Sequence, residues 1–195
     1  AGHDKRCRRF DRREIQKARE ILGRRDTRTH HRAGDAAQRS ADRASAAWFF
    51  ERAVAWSPYH YEFLYKLGAA RLQNGAPEAA VAAFRESLRR GPDNIPALLA
   101  LAQAEARLGR LDGAEEALSR ARRIAPRYWK VALMAGHVAL LAGDVPAATA
   151  RMEEALSLPY ADRGAVLMPL AGAYLAAGDA AKGLACADEA AALGP

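Results

Sequence analysis

Three kinds of residue recur along this 195-residue chain at a single interval. Prolines stand at Pro58, Pro92, Pro126, Pro159 and Pro195, spaced by 34, 34, 33 and 36 residues. Glycines at Gly75, Gly109, Gly143 and Gly178 keep steps of 34, 34 and 35. A series of small residues, Gly68, Ala102, Gly136 and Gly172, follows the same rhythm. A period of this length leaves few folds open, because one supersecondary unit must then bury its apolar face against the next copy of itself.

The residues between the markers say what that unit is. Val81, Phe84 and Leu88, then Ala114, Leu118 and Ala121, fall three and four apart, which lines them up on one side of an α-helix. Gly75 and Gly143 stand where a helix ends in a left-handed residue. Pro77 and Pro146 follow where a first helical turn tolerates a missing N–H. Each period therefore reads as helix, tight turn, helix. The small residues at 68, 102, 136 and 172 are expected to meet Ala80, Ala114 and Ala148, so that paired helices approach closely.

Leu64, Leu67, Gly68, Ala80, Phe84 and Pro92, repeated as Leu98, Leu101, Ala102, Ala114, Leu118 and Pro126, give an apolar residue, a Leu-Gly-like pair, a later Ala, a large apolar residue and a closing proline. Gly136, Ala148, Met152 and Pro159, and then Met168, Gly172, Ala187 and Pro195, follow more loosely. This pattern resembles the tetratricopeptide repeat (TPR) family, in a bacterial member. The resemblance implies an all-α fold, a right-handed superhelical solenoid of antiparallel helix pairs, with four repeats at 59–92, 93–126, 127–160 and 161–195. Asp11–Arg32 and Ala36–Trp56 also read as helices, separated by Ala33-Gly34-Asp35, which is similar to the turns at Ala142-Gly143-Asp144 and Ala177-Gly178-Asp179. Residues 11–58 are thus expected to form a degenerate basic helix pair, with Phe50 at a core position, behind a basic and disordered segment 1–10. Pro169 predicts a kink or a late start in its helix.

In the family, the first helix of each repeat lines the concave groove where partners lie. Carried over residue by residue, this marks Glu62, Tyr65, Leu72 and Gln73, then Leu99, Gln103 and Arg107, then Lys130, Leu133 and His137 as groove residues. The lining is mainly apolar and suits an amphipathic helix or an extended apolar peptide. Tyr65 and Ala69 occupy the face where the family's carboxylate clamp for chaperone tails needs Lys, Arg and Asn, which disfavours that partner. The function implied is a non-catalytic scaffold for a protein or peptide. The last helix lacks a polar cap, so more chain, a second copy or a partner is expected over it.

Charge and composition frame the rivals to that reading. The net charge of +7 resides entirely in residues 1–43, which carry fourteen basic and seven acidic side chains. This admits RNA or an anionic surface as a partner of the N-terminal segment, and a juxtamembrane start admits the soluble tail of a larger membrane enzyme of the O-antigen ligase or polymerase type. The chain does not begin with Met and reads as a fragment or processed product. Its longest uncharged runs fall short of the roughly 18 to 20 residues that cross a bilayer, so a soluble chain, cytoplasmic or periplasmic, is expected. Cys7 and Cys186 have no partner at metal or redox spacing, and Cys186 reads as a packing residue. His30-His31 reads as a solvated pair. Eight of the fourteen aromatics lie between Trp48 and Tyr65, assigned to packing between the first two repeats. No catalytic, metal or cofactor motif is present.

Overall fold

A computed structural model describes residues 27–39 and 43–193, which form ten α-helices and no strand. The basic segment 1–10, Cys7, residues 11–26 of the first expected helix and the closing Pro195 lie outside the described residues. Two compact units divide the chain, residues 1–92 and 93–195. The first holds α1 (Thr27–Arg39), α2 (Arg43–Trp56), α3 (Tyr61–Gln73) and α4 (Pro77–Arg90). The second holds α5 (Ile95–Arg107), α6 (Leu111–Ile124), α7 (Trp129–Leu141), α8 (Val145–Ser157), α9 (Arg163–Ala176) and α10 (Ala180–Ala192). Each odd-numbered helix pairs with the one after it.

Local chemistry stops and starts these helices. Gly75 and Gly143 hold φ of 75° and 80°, a conformation that costs a residue bearing Cβ. The amide after each reaches back along the helix, Ala76 N–H to the Arg71 carbonyl at 3.0 Å and Asp144 N–H to the Ala139 carbonyl at 2.9 Å. These contacts satisfy carbonyls that the helix end would leave bare. The same turn recurs at Gly109 and Gly178. Asn94, Asp144, Asp162 and Asp179 then cap the helices that follow them, each side chain accepting an N–H from the first turn.

Close approach of paired helices depends on the small residues. A Cβ on Gly68 would lie 2.5 Å from the Phe84 ring, and one on Gly136 would lie 2.7 Å from Met152 Cγ. Ala33-Gly34-Asp35, expected to be a turn, is instead interior to α1. The reason is packing. A Cβ on Gly34 would lie 2.6 Å from the Phe50 ring, the same relation that Gly68 has to Phe84. Gly34 therefore occupies the small position of a pair in phase with those downstream, and the break between α1 and α2 falls after Arg39.

The last pair corrects the sequence reading in another way. α3, α5, α7 and α9 start at steps of 34 residues, so α9 does not start late. It runs through Pro169 and spans 14 residues where α3, α5 and α7 each span 13. The additional residue enters before Val166, because Val131, Ala132 and Val138, buried in α7, have their buried counterparts in α9 at Val166, Leu167 and Ala173, each 35 residues on. Everything after it shifts by one. Gly172 consequently faces open space and Met168 is exposed, while Val166, Leu167, Leu170 and Ala171 are buried. Gly183 makes the close contact, its Cβ position being 3.2 Å from the Ala171 carbonyl, in the way that Gly136 meets the Ala148 carbonyl at 3.1 Å.

In the first unit Ala46, Phe49 and Phe50 of α2 pack with Leu67 and Ala70 of α3 and Ala83 of α4. Not all of the aromatic cluster joins them, since Trp56, Tyr59 and Tyr61 are exposed. In the second unit Met152, Leu170 and Ala173 form a core against which Cys186 packs, as its apolar surroundings required. His30 is fully buried with its ring edge-on to Trp48 at 6.5 Å, so the expected solvated pair is not found.

Candidate partner-binding site

In the first unit the expected groove residues lie on α3. Glu62 and Gln73 are exposed and Tyr65 is half-buried, its ring tilted against Phe84 at 6.1 Å. Leu72 is a correction: it is buried in the core, on the side of α3 that turns away from solvent. An ionic seam joins α3 to α1, the two first helices of this unit. Lys66 Nζ donates to Asp35 Oδ1 at 2.7 Å, and His31 Nδ1 stands 3.5 Å from Asp35 Oδ2. The His31 ring also leans on Phe63 at 5.0 Å, and His60 stacks on the same ring at 4.5 Å. Burial, and next the Lys66 charge, lower the His31 pKa against the pull of Asp35.

In the second unit the expected residues lie on α5 and α7, which pack side by side. Gln103, Arg107 and Lys130 are exposed, while Leu99, Leu133 and His137 are half-buried. Lys130 folds its ammonium over the Trp129 ring at 5.3 Å. Leu133 packs against Trp129, Ala155 and Val166 and so supports the core as well as lining the face. Desolvation alone lowers the His137 pKa, which keeps that imidazole neutral at neutral pH. The arrangement offers mixed apolar and hydrogen-bonding contact. Among the described residues no group of three or more His, Cys, Asp or Glu side chains is placed to hold a metal ion.

Sequence reasoning missed two features. The His31–Asp35–Lys66 seam was hidden because Asp35 was placed in a turn. The second lies in the other unit, where two loops bring Tyr128, Trp129 and Tyr160 around one cleft. The Pro159-Tyr160 pair was visible in the sequence, but only as a mark of period.

Stacked helix pairs with small residues at their crossings and glycine turns between them define a helical-repeat protein. Tetratricopeptide repeat models match residues 31–95 and 71–135, together more than half of the chain, and the chain belongs to that family. No curated protein matches it in sequence. It is similar to a thermophilic TPR protein of Thermus thermophilus, at 27% identity over 85% of this chain and 90% of the other, with a TM-score of 0.76. A TPR protein from Parabacteroides merdae shares the fold at 13% identity, 90% and 70% coverage and a TM-score of 0.78. A chain of the APC/C hetero-tetramer Cut9–Hcn1 does so at 15% identity, 96% and 38% coverage and a TM-score of 0.75. No helix among the described residues is long and apolar enough to cross a membrane.

Proposed function

We propose that the chain is a non-catalytic scaffold that holds a protein or peptide against the first-helix faces of its repeats. One observation carries this reading. α5 and α7 pack side by side yet keep Leu99, Gln103, Lys130, Leu133 and His137 accessible, although their other faces are buried. A row of half-buried leucines flanked by exposed polar ends is the composition of a peptide-docking face, in which apolar contacts supply affinity and polar ones register. A hetero-oligomeric assembly containing this fold, Cut9–Hcn1, is consistent with such a role.

The test is capture of a partner from the source cell by the full chain, with Leu99→Arg, Gln103→Arg and Lys130→Glu combined in a variant. Leu133 is left in place because it supports the Trp129 core. Retained helicity with loss of the captured protein supports the reading. Equal capture by the variant sinks it.

A further inference from the structure

In the second unit the α6–α7 and α8–α9 loops frame an open cleft of about 710 Å³, lined by Pro126, Arg127, Tyr128, Trp129, Pro159 and Tyr160. Its base is rigid: Trp129 is 9% exposed and packs with Ala132, Ala155 and Val166. Its lip is not sheltered at all. Tyr160 is 98% exposed and holds φ of 59°, alone among the described non-glycine residues in having a positive value. A tyrosine in the left-handed region whose ring buries nothing within its own chain is unfavourable on both counts, and such outliers gather at ligand clamps.

The chemistry of the lining selects the occupant. Aromatic and proline rings face the cleft, and among the described residues no strand edge is present to pair with an extended backbone. Rings arranged this way suit a polyproline II segment, which arrives already ordered and presses its pyrrolidines between aromatic faces. The single charged lining residue is Arg127, exposed and without an ion pair among the described residues. A positive charge at the rim repels a cationic ligand that the rings would otherwise attract, and complements a carboxylate. We propose that this cleft docks a proline-rich segment of a partner protein that carries an acidic residue beside its prolines. The cleft adjoins the first-helix face, since Trp129 opens α7 and carries the Lys130 ammonium over its ring, but its test rests on Tyr160 and Arg127, which are not among that face's residues.

The experiment titrates the full chain into a fluorescein-labelled peptide of prolines interrupted by glutamates, read by anisotropy. Two control peptides replace every Glu with Lys or every Pro with Ala. The acidic proline-rich peptide should bind saturably, and each control should bind about tenfold more weakly or worse. Tyr160→Gly should weaken binding by a similar factor while the fold persists, because glycine accepts the left-handed conformation and the ring fills no core. Arg127→Glu should reverse the preference between the Glu and Lys peptides. Absence of saturable binding, equal affinity for the Lys peptide, or indifference to Tyr160→Gly overturns the proposal. So does a chain that sediments as a dimer and becomes monomeric on Tyr160→Gly, since a second copy would then own the cleft.

Discussion

Gly68 and Phe84 meet so closely that a β-carbon on the glycine would stand 2.5 Å from the phenylalanine ring. Phe84 is fully buried, so it has no free space into which to retreat. Gly68→Ala should therefore destabilise the first unit by about 1 to 3 kcal/mol through overpacking, although alanine is the better helix former. Gly172→Ala is the control. Nothing lies within 4 Å of its added methyl group, and it should stabilise α9 by about 0.5 to 1 kcal/mol. Urea midpoints that move the same way for both substitutions would refute the packing argument.

Gly75 isolates the backbone contribution. Its Cβ position is also open, but φ is 75°. Gly75→Ala should cost about 1 to 2 kcal/mol from backbone conformation alone. Thermal melts of this variant beside Gly172→Ala should thus shift in opposite directions, although neither methyl touches anything.

Asp144 caps α8 by accepting the Ala147 N–H at 2.9 Å. Asp144→Ala should lower stability by about 1 kcal/mol, and Asp144→Asn should recover most of it, because an amide oxygen caps nearly as well as a carboxylate. Loss of equal size in both variants would mean that the negative charge matters, and not the hydrogen bond.

The folded chain holds His31 and His137 below the ordinary value of 6.5, His31 first by burial and then by the Lys66 charge, His137 by burial alone. In the unfolded chain both titrate near that ordinary value. As pH falls through it, the unfolded state takes up protons that the folded state refuses, so stability falls until the native pKa is passed. Above about pH 7 the contribution is complete and flat. Urea midpoints measured from about pH 7 to about pH 5 should decline, and His137→Gln should make the decline shallower. An unchanged slope in that variant would show that His137 is not the group responsible.

The period of the chain was legible because the turn glycines and the closing prolines answer to backbone rules that act within a few residues. The close approach of α3 and α4 was expected from Gly68 set against Ala80, whereas the side chain that meets Gly68 is Phe84, one turn further on. Gly34 was misplaced because Ala-Gly-Asp is a turn in two later copies, and only the Phe50 ring packed on it shows that here the triplet lies inside a helix. The single added residue in α9 could not be located from spacing, since Gly172 is a small residue within two positions of the expected one. Leu72 looked like groove lining because first helices carry apolar residues on two sides, and choosing between the sides needs the neighbouring helix. The sign of φ at Tyr160 is set by the loop around it and leaves no trace in residue type.

The extra residue of α9 matters to anyone who would redesign this chain by consensus. One added position turns the rest of a helix by about 100°. A substitution grafted from an earlier repeat at a fixed offset of 34 would land one position early from Val166 onward. A leucine meant for the interior would be delivered to water, and a lysine meant for water would be driven into the Met152 core. The last repeat has to be edited in its own register, counted back from Gly178.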